Sequence, residues 1–110
     1  MMYVLVFHVP KTDAERVKDA VFSAGAGRMG NYERCCFQVP GVGQFTPMAM
    51  AHPAIGSVGQ KTIVDEMRIE MTVDESCVKQ VIQALLDTHP YEVPSYHLIA
   101  VTTLEQIGCD

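Results

Sequence analysis

Short apolar runs alternate with amphipathic stretches along the chain, and their order predicts a mixed domain of strands and helices. The first run, residues 3–9, is rich in valine and aromatic residues and stops at Pro10, which predicts a strand. Apolar residues then recur at helical spacing from Ala14 to Ala24, and Gly25 is placed to end that helix. The chain therefore opens with a strand followed by a helix.

The middle of the chain has weaker periodicity and predicts a strand, a hairpin and a long loop. Residues 31–37 form the predicted second strand, and residues 43–48 its hairpin partner across a turn at 41–43. From Pro47 to Gly59 the chain is rich in proline, glycine and small residues, which indicates a loop. Loops of that length are often functional.

The second half returns to clear periodicity. Residues 66–73 alternate between apolar and polar side chains, which predicts a strand, and Asp74 can cap the helix that follows. That helix has a broad apolar stripe and ends at His89-Pro90, and residues 96–102 form the last predicted strand. The order predicts one α+β domain, residues 1–110, with a ferredoxin-like split βαβ sandwich. Its antiparallel sheet carries two helices on one face and an added hairpin and long loop.

The first and last predicted strands are apolar on both faces. Two helices cover only one face of such a sheet, so the other face needs a different cover. The added hairpin and loop are one candidate, and a second copy of the chain packed sheet to sheet is the other. We expect the second arrangement, a homo-oligomer.

Composition and charge argue against some classes of partner and indicate the state of the cysteines. The 110 residues contain 13 acidic and 8 basic side chains, a formal charge of −5, which argues against nucleic-acid and membrane-surface partners. The four cysteines do not have the spacing of a disulfide framework, and residues 1–7 lack the basic start of a signal peptide. We therefore expect reduced thiols and a cytoplasmic location.

The segment Gly25-Ala-Gly-Arg-Met-Gly30 has the letters of a dinucleotide-binding motif in the wrong context. That motif follows a strand and opens a helix, whereas this segment follows a helix and leads to a predicted strand. A tight turn is one interpretation, and a backbone nest for an anion, helped by Arg28, is the other. The candidate ligand-binding residues here are Gly27, Arg28, Gly30, Asn31 and Tyr32.

Histidines and cysteines raise the question of metal binding or catalysis. No pair has zinc-site spacing, but His89 and Glu92 lie three residues apart on one turn and could share a ligand. The interpretation that we favour for His89 is a hydrogen bond to the last helix carbonyls. Cys35 and Cys36 lack any further signature of a nucleophile, so we expect a non-enzymatic protein with no catalytic residues. A divalent cation is the one cofactor considered, with candidate ligands His89, Glu92, Cys36 and His52.

Several segments taken in order resemble a known family. They are residues 25–32, 36–37, 41–47 and 53–59, followed by His89-Pro-Tyr-Glu-Val-Pro94. Together they resemble the domain inserted in the middle of bacterial YqfO-type proteins, a family named for a yeast Ngg-interacting factor. The last segment is also similar to CutA, a small trimeric protein implicated in divalent-cation tolerance. The resemblance extends over residues 3–101 and implies a PII/CutA-like fold.

This resemblance also shapes the expected function. The paired-metal site of long YqfO-type proteins belongs to flanking domains whose ligands are absent here, so we expect a stand-alone insert without their hydrolase-like activity. The resemblance to CutA implies a trimer with ligands in clefts between subunits. We expect a binding or regulatory module for a small molecule or anion, held by the glycine segment together with His89, Tyr91 and Glu92. A divalent metal-binding protein resembling CutA is the alternative.

Overall fold

A computed structural model describes residues 1–107, which form four strands and two main helices in the order β-α-β-β-α-β. The elements are β1 (Met2–Pro10), α1 (Ala14–Ser23), β2 (Phe37–Phe45), β3 (Thr62–Asp74), α2 (Val78–Thr88), β4 (Tyr96–Val101) and a single helical turn, α3 (Leu104–Ile107). Cys109 and the end of the predicted tail lie outside the described residues.

The four strands form one antiparallel sheet in the order β2-β3-β1-β4. The two central strands pair along their whole common length, from Met2 opposite Asp74 to Pro10 opposite Glu66. This topology confirms the predicted ferredoxin-like fold. β3 has 13 residues against 9 in β1, so its first residues pair with β2 alone and extend past the rest of the sheet.

The hydrophobic core lies between the sheet and the two helices. Alternate residues of the central strands face α1 and α2, because successive side chains of a strand point to opposite sides. The fully buried members with the largest side chains are Phe7, Leu5, Ile69, Leu85, Val9, Val17, Val21, Val73 and Val81. Each such side chain contributes roughly 1.5–3 kcal/mol of burial free energy, which makes this layer the main source of stability.

The helix boundaries largely follow the sequence signals. α1 ends two residues before Gly25, and the Gln80 side chain of α2 donates to the Ala24 carbonyl at 2.7 Å, which ties the two helices together. The Asp74 carboxylate accepts from the Ser76 amide at 3.0 Å and caps the short turn that leads into α2. Hydrogen bonds from the hydroxyl and amide of Ser76 hold the pKa of Asp74 below its usual value.

The prediction for the middle of the chain is wrong in one respect. Residues 31–36 are not a strand, and 41–43 are not a turn, because residues 37–45 run as one strand along β3. β3 offers an uninterrupted partner over that whole length, and this long ladder overrides the local turn signal of two glycines. Pro40 is tolerated because β2 is an edge strand. The predicted loop is present as residues 46–61, the 46–61 loop, and its ends are joined by Gly59 N–H donating to the Pro47 carbonyl at 2.8 Å.

The sheet face opposite the helices remains partly apolar and exposed. At the centre of this face Val6 is buried, with 1% of its surface exposed, and Glu70 and His97 flank it in register. The apolar side chains on either side of it are not buried. Phe37 is 65% exposed and Ile99 is 49% exposed. Within one protomer, therefore, neither the helices nor the long loop covers these two side chains. No helix in the described part of the chain combines the length and apolarity that a membrane crossing requires.

Candidate functional site

The sequence-predicted ligand residues lie at two opposite ends of the sheet. Gly27 N–H donates to the Thr72 carbonyl at 2.8 Å, whereas the Tyr91 hydroxyl donates to Glu66 Oε2 at 2.6 Å. Thr72 and Glu66 are six residues apart on β3, which corresponds to about 20 Å. A single protomer therefore does not bring the glycine segment and residues 89–92 into one site.

The glycine segment (residues 25–32) is a structured turn. Gly27 has φ +78°, and a Cβ there would meet the Phe22 ring and the backbone of Cys35, so this position requires glycine. Its amide already donates to Thr72, which removes one donor from the predicted anion nest. Met29 and Tyr32 exchange two backbone hydrogen bonds of 2.9 Å. The exposed members of the predicted set are Arg28, Gly30, Asn31 and Tyr32.

His89 is buried, and both of its ring nitrogens have hydrogen-bond partners. The Tyr91 amide must donate to Nδ1, at 3.1 Å, so Nε2 carries the proton and donates to the His8 carbonyl at 2.7 Å. This is the neutral tautomer. Burial lowers the pKa of His89, against the opposing effects of the His8 carbonyl and the Glu66 charge. His89 therefore joins the end of α2 to β1, and metal coordination there would have to break one of these bonds.

Tyr91, Glu66 and Gly43 form a unit that sequence reasoning missed in part. The Tyr91 hydroxyl holds the Glu66 carboxylate against β2, where a Cβ at Gly43 would overlap that carboxylate. Burial, with the hydrogen bond to Glu66, raises the pKa of Tyr91. The Phe45 and Tyr91 rings pack edge to face, with centroids 5.8 Å apart. Only Tyr91 had a local signal in the sequence, since the pairing of Glu66 with Gly43 depends on the register of β2 and β3.

The 46–61 loop is attached to the same end of the sheet. The backbone amide of His52 donates to Glu92 Oε1 at 2.9 Å. Two of the four predicted metal candidates, His52 and Glu92, are therefore adjacent. Cys36 lies at the other end, beside Phe37 and Glu70, where the surface forms a second, smaller hollow of about 400 Å³. The described part of the chain contains no group of three or more histidine, cysteine or acidic side chains arranged to hold a metal ion.

Between the 46–61 loop and residues 89–95 lies a cleft of about 760 Å³. Its walls are mainly apolar, and its polar side chains include His8, Glu66 and Glu92. No lysine or arginine is among its described lining residues. The apolar and aromatic lining residues are Val42, Phe45, Pro47, Met48, Met50, Ala51, Pro53, Ala54, Ile55, Tyr91 and Val93. A concave, mostly apolar surface with a few fixed polar groups is the usual form of a small-molecule site.

Known proteins similar to this chain are of two kinds. A GTP cyclohydrolase 1 type 2 homolog from Halalkalibacterium halodurans is 41% identical over 97 residues, which cover 88% of this chain and 26% of that protein. A solved structure of a Bacillus cereus protein related to NIF3 superposes with a TM-score of 0.79 at 37% identity, covering 93% of this chain and 26% of that chain. The chain thus spans about a quarter of the length of these relatives. No protein-family model matches it.

The second kind of similar protein has the same fold as this chain over almost the full length of both. The periplasmic divalent cation tolerance protein CutA from Archaeoglobus fulgidus superposes with a TM-score of 0.67, covering 97% of this chain and 91% of that protein. At 15% identity this likeness shows the fold alone. The resemblance that the sequence predicted is thus confirmed: the chain is a relative of one segment of the YqfO-type, NIF3-related proteins, and it has the fold of CutA.

Proposed function

We propose that the chain is a non-enzymatic binding or regulatory module whose small-molecule ligand occupies the cleft between the 46–61 loop and residues 89–95. The observation that carries this proposal is the cleft itself, because about 760 Å³ lies within the range of about 300–1,000 Å³ that small-molecule sites occupy. Its polar side chains are held by hydrogen bonds to neighbouring segments, which favours a preformed site.

The surroundings of the cysteine side chains favour a binding role over a catalytic one. The three described cysteines are not joined in disulfides. The side-chain hydrogen bonds of Cys35 and Cys77 go to Glu33 and Ser76, and no side-chain hydrogen bond in the described part of the chain joins a cysteine to a histidine. The cyclohydrolase name belongs to a relative of which this chain spans 26%, and the proposed function does not include that activity.

The module acts as a homo-oligomer, and the resemblance to CutA favours a trimer. The exposed Phe37 and Ile99 supply apolar surface for sheet-to-sheet packing. Within a protomer the glycine segment lies about 20 Å from the cleft, so the proposed site consists of the cleft alone.

Protein-observed NMR with a library of anionic, neutral and cationic fragments tests the cleft. Fragments that bind are expected to shift the resonances of Phe45 and Tyr91. Ala54→Trp, which fills the cleft from an exposed lining position, should abolish this binding. Ala49→Trp is the matched control, because Ala49 is exposed on the same loop but does not line the cleft. The proposal is wrong if no fragment shifts these resonances, or if both variants bind equally well.

Divalent-metal binding is the second candidate, and the contact between Glu92 and the His52 backbone favours it. A carboxylate and an imidazole are two ligands of a site that solvent or a second copy would complete, with Cys36 available only from that copy. Calorimetric titration with Cu²⁺ and Zn²⁺ tests it. We expect Glu92→Gln and His52→Ala to weaken binding and Glu105→Gln, on the exposed turn α3, to leave it unchanged. Absence of heat, or equal affinity in all variants, would rule out this site.

A further inference from the structure

The charge of the cleft identifies the chemical class of its ligand. We infer that the ligand is an organic cation, an aromatic or apolar group that carries an ammonium or amidinium, and not a carboxylate or a phosphate. This inference rests on the proposed binding function and deepens it. It stands on three features of the cleft: the sign of its charges, the fixed position of one carboxylate, and the aromatic and thioether groups around it.

The charged side chains that line the cleft are acidic. Glu66 and Glu92 contribute two carboxylates, while no lysine or arginine is among the described lining residues. The ring of His8 is engaged with the Ser95 hydroxyl at 3.3 Å. An anion entering this space would meet two like charges and an apolar wall, and burying a charge without a partner is costly. A cation would find a complementary charge at the same place.

Glu66 is held in one position rather than free to move. Its Oε2 accepts from the Tyr91 hydroxyl at 2.6 Å, and the absence of a side chain at Gly43 makes the space in which the carboxylate lies. No described residue donates a hydrogen bond to Oε1, so this oxygen has acceptor capacity left for a ligand. An ionised acceptor held in place forms stronger hydrogen bonds than a neutral one and loses little entropy on binding.

The remaining lining suits the apolar part of the same ligand. Phe45 and Tyr91 pack edge to face, which leaves ring surface for a cation or a second aromatic group. Met48 and Met50 are both highly exposed at the mouth of the cleft, and flexible thioether side chains adapt to varied apolar shapes. The cleft thus combines a fixed negative end with an adaptable apolar mouth.

Three probes with one ring system test the inference: tryptamine, tryptophol and indole-3-propionate, which carry positive, zero and negative charge. Tryptamine should bind at least about tenfold more tightly than indole-3-propionate, the scale of one charge-assisted hydrogen bond. Glu66→Gln, which keeps the shape and an acceptor for Tyr91, should remove most of that preference. Glu105→Gln, on the exposed turn α3, is the control and should leave it unchanged. Binding of tryptamine should also weaken at ~1 M salt, where the screening length is ~3 Å.

The outcomes separate this inference from the proposed function. Tighter or equal binding of indole-3-propionate, lost in Ala54→Trp, would overturn the cationic class while the cleft stays a binding site. Equal affinity of tryptamine for wild type and Glu66→Gln would overturn it as well. If none of the three probes shifts the Phe45 and Tyr91 resonances, the inference is wrong. The fragment library then decides independently whether the cleft binds anything.

Discussion

His89 Nε2 donates a 2.7 Å hydrogen bond to the backbone carbonyl of His8, a residue 81 positions away in the chain. The bond joins the end of α2 to the end of β1, and the Tyr91 amide completes the imidazole's hydrogen bonding from the other side. The turn that carries Tyr91 and Glu92 is thereby anchored next to the cleft.

His89→Ala should lower the free energy of unfolding by about 2–4 kcal/mol, because it leaves two backbone groups without partners and opens a small cavity. Urea denaturation at a fixed protomer concentration measures this change. His52→Ala, at an exposed position of the 46–61 loop, should stay within about 0.5 kcal/mol of wild type. Equal stability of the two variants would contradict the anchoring role.

The protonation of His89 predicts a pH dependence of stability. Burial lowers its pKa in the folded protein, so the unfolded chain, with a pKa near 6.5, binds more protons over the interval between the two values. Stability from His89 is therefore complete above about pH 6.5 and is lost as the pH falls through the lowered folded pKa. Urea midpoints measured across this interval should show a smaller pH dependence in His89→Gln than in wild type. An identical dependence would contradict this assignment.

Two glycines of β2 provide a matched pair for the Glu66 contact. Gly43→Ala places a methyl group on the Glu66 carboxylate, and we expect a loss of about 1–3 kcal/mol in unfolding free energy. At Gly41 an added Cβ would meet nothing within 4 Å, so Gly41→Ala should be close to neutral. Thermal denaturation compares them. The variant Gly43→Ala/Glu66→Ala should recover part of the loss, and the absence of recovery would mean that the carboxylate is not the obstacle.

The Tyr91 hydroxyl should ionise at a higher pH than free tyrosine. Burial and the hydrogen bond to the Glu66 carboxylate both raise its pKa. An alkaline titration followed by tyrosinate absorbance should contain a late component that Tyr91→Phe removes. Glu66→Gln should move that component to lower pH, because it removes the negative charge. A late component that persists in Tyr91→Phe would assign it to another residue.

The exposed apolar face predicts the oligomer interface. Ile99→Glu should shift the protein from oligomer to protomer at micromolar concentration, because it places a charge on the proposed sheet-to-sheet contact. Leu86→Glu is the control, since Leu86 is 42% exposed on α2 against 49% for Ile99 on the sheet. Sedimentation velocity distinguishes the two. A wild-type protein that sediments as a protomer, or an Ile99→Glu variant that still assembles, would contradict this interface.

Local periodicity was sufficient to predict the two helices and three of the four strands. From Met67 to Val73 apolar residues recur at every second position, as in a strand with one buried face. From Val78 to Leu85 they recur every three to four positions, as in a helix with one buried face. Such patterns reflect burial, which every residue of the element shares. The segment around Gly41 was misread because its strand is stabilised by pairing with β3, more than 20 residues later in the chain.

The candidate site was harder to predict from the sequence, because it too depends on contacts between segments that are far apart in the chain. Sequence alone identified the segment from His89 to Glu92, and its spacing suggested a ligand set. The tertiary structure instead used His89 to bind the His8 carbonyl, and it placed the glycine segment at the opposite end of the sheet.

The amino-acid sequence is sufficient to predict the order of strands and helices, the ferredoxin-like fold, the family resemblance and the absence of strong positive charge. These follow from periodicity, composition and short motifs, which are local or additive along the chain. Which groups come into contact is visible in the fold alone: Tyr91 meets Glu66 above Gly43, and Glu92 meets the backbone of His52. Those contacts depend on strand register and loop path, since the residues in each of them are separated by many positions in the chain and no local pattern encodes their distance.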